Sequence, residues 1–304
     1  MTRSIIQKDF KRNRYIYLMA LPVLAYYLLF HYQPMYGAII AFKDFTPAKG
    51  ILGSPWVGLK HFHTFFTGPY AFRLIRNTFL ISFYELIFGF PAPLLLAILL
   101  NEVLATRYKR VIQTLSYLPH FISLVVICAL IKNFTASTGL VNDIIAFFFG
   151  EKARSTLLQD PSNFRTVYVV SGIWQGVGWG SIIYLAAISK IDQQLYEAAI
   201  IDGAGRFARM VHVTLPGILP TIIIMLILRM GSLMSVGFEK VFLLYNTGIY
   251  ETADVISTYV YRRGIIDTDW SFSAAVGLFN SVVNFVLVVA ANFISGKFSE
   301  TSLW

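Results

Sequence analysis

Hydrophobic residues in this chain fall in long unbroken blocks, not at the two-residue or 3.6-residue spacing of half-buried elements. Six blocks stand out, at about 15–40, 77–101, 111–132, 166–189, 214–238 and 271–296. Each is near or above the roughly 20 residues that a helix needs to cross a bilayer. None shows the short alternating segments of a barrel strand. Apart from Lys132 at the end of the third block, the charges inside these limits are Glu85 in the second and Arg229 in the fifth. Pro91 and Pro93 should kink the second helix, where neighbouring helices can satisfy the freed backbone groups. The pattern predicts an all-α, polytopic membrane protein of six transmembrane helices. It divides into a basic segment 1–14, a six-span domain 15–298 and a short tail 299–304. No internal repeat, low-complexity stretch or separate soluble domain interrupts it.

Composition agrees. Of 304 residues, 56% are hydrophobic and 13% charged, with a mean hydropathy of +0.63. Soluble domains carry roughly 25% charged residues. The net charge of +9 would suggest nucleic acid in a soluble chain. Here the cations sit beside the apolar blocks and read as an orientation signal facing membrane lipid. Segments 1–14, 104–111, 190–213 and 297–304 hold 12 Lys and Arg in 54 residues, against 11 in the 101 residues of the opposite segments. The positive-inside rule then puts both termini and segment 190–213 in the cytoplasm of a bacterial cell membrane. The first block is too long for a signal-peptide core and reads as a retained span. Cys128, the one cysteine, lies inside an apolar run and reads as a small buried residue.

One polar stretch, "YEAAIIDGAGRFARMVHVTLPGILP" (196–220), lies between the fourth and fifth blocks. Asp192 can cap a short helix from Gln193 to about Asp202. Leu195, Ala198, Ala199 and Asp202 share one face of it, kept shallow by the alanines. Gly203 suits the C-terminal stop. A second amphipathic piece, Arg206 to Val213, carries Phe207 and Met210, and Pro216 opens the fifth span. The loop of about 191–213 suits a docking element for a cytoplasmic partner, and equally a connector folded back on its own membrane domain. Gly203, Gly205 and Ala208 spell a dinucleotide fingerprint, but a helix precedes them in place of a strand. No Walker motif occurs, so no nucleotide, cofactor or metal is expected on this chain.

The stretch resembles the signature loop of permease subunits of binding-protein-dependent ABC importers. The family pattern is E-A-A, three residues, G, nine residues, I-x-L-P. Here it reads Glu197-Ala198-Ala199, three residues, Gly203, nine residues, Val213-Thr214-Leu215-Pro216, with Val for Ile as the departure. Asp202, Ala204 and Phe207 match positions common in the sugar-importing branch. "GFEKVFLLYN" and "FSAAVGLFNSVVNFVLVVAAN" are similar to its polysaccharide, oligogalacturonate or aldouronate importers. The resemblance implies a non-catalytic membrane subunit that forms half of a solute pathway for an oligosaccharide or polysaccharide fragment. It implies a second, unlike permease subunit, two ATPase subunits beneath, and an extracellular or periplasmic solute-binding protein. The helix around Glu197–Gly203 would be the coupling helix, with Glu197 fixing the loop by a hydrogen bond or ion pair. The alternatives are a permease of the same fold for a non-sugar solute and a stand-alone secondary transporter. The latter should show repeats with paired broken helices.

Within the membrane, Arg229 sits roughly 20 Å along the fifth helix from Pro216 at 1.5 Å per residue. An ionisable group at that depth should face protein or water. Glu85 is its natural partner, and direct contact with sugar hydroxyls or a uronate carboxylate is the other reading. Gly172, Gly176 and Gly180 form a strip suited to close helix packing. Trp174, Gln175, Trp179, Asn280 and Asn284 are further pathway candidates, because aromatic faces and amides suit sugar rings. Glu239 and Lys240 would meet the binding protein at the outer boundary. His61 and His63 make a weak metal signal, and His120 is expected to satisfy a local hydrogen bond.

Overall fold

The computed structural model describes residues 12–298 and is predominantly helical. Six helices are long and apolar enough to cross a membrane. They belong to α1 (Arg14–Phe42), α2 (Ala71–Glu102), a run of α4 (Leu124–Thr135) and α5 (Leu140–Phe149), α6 (Phe164–Ile188), α8 (Arg206–Met230) and α10 (Trp270–Phe298). The shorter helices include α3 (Thr106–Tyr117), α7 (Gln193–Ile201) and α9 (Phe238–Leu244). The basic segment expected at 1–14 lies almost wholly outside the described residues, and the tail 299–304 entirely so.

Proline placement shapes three spans in the same way. A widened turn with i→i−5 bonding precedes each: Leu28–Tyr32 before Pro34, Glu85–Gly89 before Pro91, and Met210–Thr214 before Pro216. Proline lacks an N–H and its ring pushes on the carbonyl four residues back. The extra residue in the preceding turn relieves that clash and lets the helix continue.

Three boundaries differ from the hydrophobic pattern. The second span starts at Ala71, because Arg73 and Arg76 are held by the outer loops: Arg73 faces the fully buried Asp254 at 3.6 Å, and Arg76 donates to the Glu251 carbonyl at 3.2 Å. The third block is no single helix. Pro119 splits it, Leu118–Phe121 forms one tight turn, and Ser123 caps α4. The fifth span is 206–230, not 214–238. Its start absorbs the second amphipathic piece, and residues 231–237 leave the helix as a partly buried turn. Asn284 holds that turn, accepting from the Met234 amide at 2.8 Å and donating to the Ser235 hydroxyl at 3.0 Å. Leu233, Met234 and Val236 are apolar because they fill the core, not because they face lipid.

The core lies in three clusters. One joins α4 and α6 to the outer loops through Ile127, Phe164, Val241 and Val255; another joins α2 to α10 through Leu74 and Phe272; the third ties the inner ends of α2, α6 and α8 through Ile98, Tyr184 and Ile218. The outer loop 239–270 is locked by Asp254, which takes Arg262 at 2.6 Å and the Thr258 hydroxyl at 2.8 Å. By contrast, no residue of α1 between Arg14 and Met35 is buried. Only its last turns, where Ala41 is fully buried, settle against α10.

Candidate functional site

Two places carry chemistry. The first is the loop between α6 and α8. Asp192 accepts from the Gln194 amide at 2.9 Å and starts α7. Its end is closed by Gly203 at φ +78°, a conformation that costs a residue with a Cβ. Around it the Gly203 amide donates to the Ile200 carbonyl at 3.0 Å and the Ala204 amide to the Ala199 carbonyl at 2.8 Å. This paired closure satisfies the last carbonyls of the helix. The loop is tethered on one side only. The Tyr196 hydroxyl meets the Thr214 hydroxyl at 2.9 Å, and Ile191 packs on Gly217.

Everything else on α7 points outward. Leu195, Glu197, Ala198, Ile200 and Asp202 are exposed, as are Gly203 and, in the next helix, Phe207, while Ala199 and Ala204 are half-buried. Ile201 is 85% and Phe207 74% exposed. Glu197 has no hydrogen bond or ion pair with any described residue. The arrangement is a stiff, capped helix held off the membrane bundle with an apolar face open. Arg206 and Arg209 line a cleft of about 370 Å³ between it and the inner end of α2.

The second place is a groove of about 270 Å³ between α2, α6 and α8. Arg229 donates to Glu85 at 2.6 Å on its wall, the pairing expected from the sequence. The glycine strip of α6 lines it in part. An added Cβ at Gly180 would press on Pro93 at 2.9 Å, but one at Gly176 would meet nothing within 4 Å. Close packing is therefore not the strip's common role. The tight glycine is Gly178, whose Cβ would run into the Ser116 carbonyl.

Lys240 was expected at the outer surface and is instead buried. Its amine donates to the Tyr168 carbonyl at 2.8 Å and lies over the Tyr168 ring at 4.6 Å. Burial pushes it down to about 8, with Glu85 opposing. A Cβ on Gly172 would lie 3.2 Å from the Lys240 nitrogen and 3.8 Å from a Glu85 oxygen, so Lys240 sits near Glu85 without lining the groove itself. The signal available in the sequence was the i, i+1, i+4 pattern of Lys240, Val241 and Leu244, the buried face of α9.

The other pathway candidates are dispersed. Trp174 is exposed and Gln175 half-buried, and neither lines this groove. Glu239 is exposed at the start of α9. Asn280 keeps a buried side-chain oxygen without a partner among the described residues, whereas both ends of the Asn284 amide serve the 231–237 turn. His61 bonds the Lys43 carbonyl at 3.1 Å. Among the described residues the His120 ring has no hydrogen-bond partner; it stacks on Trp179.

Residues 89–300 match the family model described as binding-protein-dependent transport system inner membrane component. Protein LplB of Bacillus subtilis (strain 168) is 48% identical over 295 residues, covering 97% of this chain and 92% of that protein. The polygalacturonan/rhamnogalacturonan transport system permease protein YteP of the same strain is 47% identical, covering 96% and 91%. Among solved structures, a chain of a bacterial ABC transporter involved in the import of the acidic polysaccharide alginate superposes with a TM-score of 0.88 at 43% identity, covering 96% of this chain and 98% of that one. A chain of bacterial alginate ABC transporter in complex with alginate pentasaccharide-bound periplasmic protein gives 0.89 at 42% identity, covering 97% and 99%.

Proposed function

The chain belongs to the family of binding-protein-dependent transport system inner membrane components, and on that premise we propose that it is the permease subunit forming half of an import pathway for an acidic oligosaccharide. It is a multi-pass inner-membrane protein without catalytic chemistry of its own. The observation that carries the proposal is the capped helix Gln193–Ile201, closed at Gly203 and standing off the bundle with its apolar face open. A connector would fold that face back onto the membrane domain. An open face on a stiff lever suits a partner that moves it. In this reading one subunit of an ATPase pair grips Ala198, Ala199, Asp202, Gly203, Ala204 and Phe207, with Glu197 reaching across to that partner. Closure of the pair then rocks the spans through the Tyr196–Thr214 and Ile191–Gly217 tethers.

The acidic sugar is favoured by the relatives' solutes and by Arg229 on the groove wall, whose planar fork matches a carboxylate. A second, unlike permease subunit is favoured by α1, whose body buries nothing on its own chain. Six spans put both termini and α7 on one side, the positive-charge bias of that side favours the cytoplasm, and the opposite loops would then receive a solute-binding protein. Reconstitution with a partner permease and ATPase tests this. A uronate oligosaccharide with its binding protein should stimulate ATP hydrolysis, and a neutral oligosaccharide of equal length should not. Equal stimulation by a peptide or amino acid would refute the sugar assignment.

A further inference from the structure

The end of the α2–α6 pair that lies away from α7 carries two cations without an anion. Arg76 donates to the Glu251 carbonyl at 3.2 Å, and Arg165 to the Asn77 side-chain oxygen at 2.9 Å. The Asn77 amide donates to the same Glu251 carbonyl at 2.9 Å. One short network therefore holds both guanidiniums at one level. Among the described residues neither forms an ion pair, and each keeps a buried Nε without a partner. A guanidinium carries five donors, so most of theirs are unused. Both side chains are half-buried, and water screens them only in part.

Arg165 is the second residue of α6, a helix of 25 residues. Such a helix is about 37 Å long, more than the roughly 30 Å of the hydrocarbon core. Arg165 therefore lies at the boundary where lipid headgroups sit. From it a groove of about 370 Å³ runs between α2 and α6, walled by Tyr84, Phe88, Val169, Val170 and Ile173. Between Arg165 and Ile173 it descends about 12 Å along α6, against about 15 Å for half the core. Beyond Arg165, Thr166 and the Tyr84 hydroxyl its wall is aliphatic or phenyl. A sugar chain lying there would leave most of its hydroxyls unpaired, whereas an acyl chain needs no partner. Phe88 is 58% and Val170 60% exposed, so the groove is open along its side.

We propose that this groove binds one anionic phospholipid of the outer leaflet, its phosphate on Arg76 and Arg165 and one acyl chain along Val170, Ile173 and Phe88. The guanidinium fork matches phosphate oxygens. A negative headgroup neutralises two half-buried cations, and the chain covers the open aliphatic wall. Val169 and Ile173 also wall the Glu85–Arg229 groove, so the lipid braces that partition from behind. The site is independent of which solute the chain carries.

The test uses the assembled transporter in phosphatidylcholine nanodiscs holding a small share of phosphatidylglycerol with a photoactivatable acyl chain. Irradiation should label segments 84–88 and 166–173. Arg76→Gln and Arg165→Gln should each lower that labelling about fivefold. Val170→Trp, which fills the groove and keeps both cations, should lower it as much. Phosphatidylcholine with the same photoactivatable chain should label these segments no more than other lipid-facing helices. Excess unlabelled phosphatidylglycerol should compete, whereas inorganic phosphate and a uronate oligosaccharide should not. Equal labelling by the two lipids would reduce the groove to ordinary bilayer contact. Competition by phosphate would make it a free-anion site, and competition by the oligosaccharide a solute site. No labelling of either segment would leave it to a protein partner. Each of these results overturns the lipid site. Should the variants not assemble, the two-lipid comparison and the competition series on the wild type decide alone.

Discussion

Replacing Glu85 should harm this protein more than replacing Arg229, although the two are partners in one ion pair. The pair closes at 2.6 Å, with side-chain exposures of 23% and 36%. At an effective dielectric of about 20, charge centres about 4 Å apart attract by about 4 kcal/mol. Partial exposure of Arg229 reduces the net value, to roughly 1–3 kcal/mol. Lys240 breaks the symmetry. Its nitrogen and a Glu85 oxygen lie 3.2 and 3.8 Å from one point beside Gly172, hence within about 7 Å of each other. At that separation the same formula leaves about 2 kcal/mol of attraction. Arg229→Gln therefore leaves Glu85 and Lys240 to balance each other. Glu85→Gln leaves both cations without their anion. The expected losses are roughly 1 kcal/mol for Arg229→Gln and roughly 3 kcal/mol for Glu85→Gln, the range for a stranded buried charge. Each kcal/mol moves the melting point of a chain this long by about 2 °C. Thermal unfolding of the purified complex in detergent reads the difference. The double variant should be milder than the sum of the singles. Equal shifts, a larger shift for Arg229→Gln, or simple additivity would refute the three-charge account.

Other substitutions separate parts of the same scheme. Gly178→Ala drives a Cβ into the Ser116 carbonyl, which cannot give way, and should cost roughly 1–3 kcal/mol, whereas Gly176→Ala enters open space and should leave the melting point unchanged. Asn284→Leu strips the Met234 amide of its acceptor and should cost roughly 1–3 kcal/mol in the same assay. Lys240 is held near 8 by burial, below its unfolded value of 10.5, so the unfolded chain binds more protons between those pH values. The melting point of the wild type minus that of Lys240→Met should thus be flat from pH 6 to 7 and climb from pH 8 to 10. A constant difference would show that the amine is not buried as described.

The spans were legible because bilayer crossing demands length and apolarity, which a sequence displays directly. The Glu85–Arg229 pair was legible for the same reason, since ionisable groups at that depth need partners. The boundaries were less so. Leu233, Met234 and Val236 are as apolar as a span, yet fill a buried turn whose cap, Asn284, is fifty residues away. Arg73 and Arg76 look like loop residues because their partners, Asp254 and the Glu251 carbonyl, lie in a distant segment. Lys240 followed that rule in reverse, a charge hidden under Tyr168. The α7 loop was read correctly in its caps, from Asp192 to Gly203, because capping is local chemistry. The hydrogen bond or ion pair expected of Glu197 finds no partner among the described residues.

The coupling role of α7 is tested most directly by isolating the tagged chain in mild detergent with its partners, as wild type, Gly203→Asp and Glu197→Lys. Gly203 has open space around it, so the aspartate disturbs only the left-handed stop and the outward face. The wild type should bring down both the second permease and an ATPase, and each variant should keep the permease and lose the ATPase. Equal ATPase recovery in all three, or none with a wild type that still transports, would contradict the account.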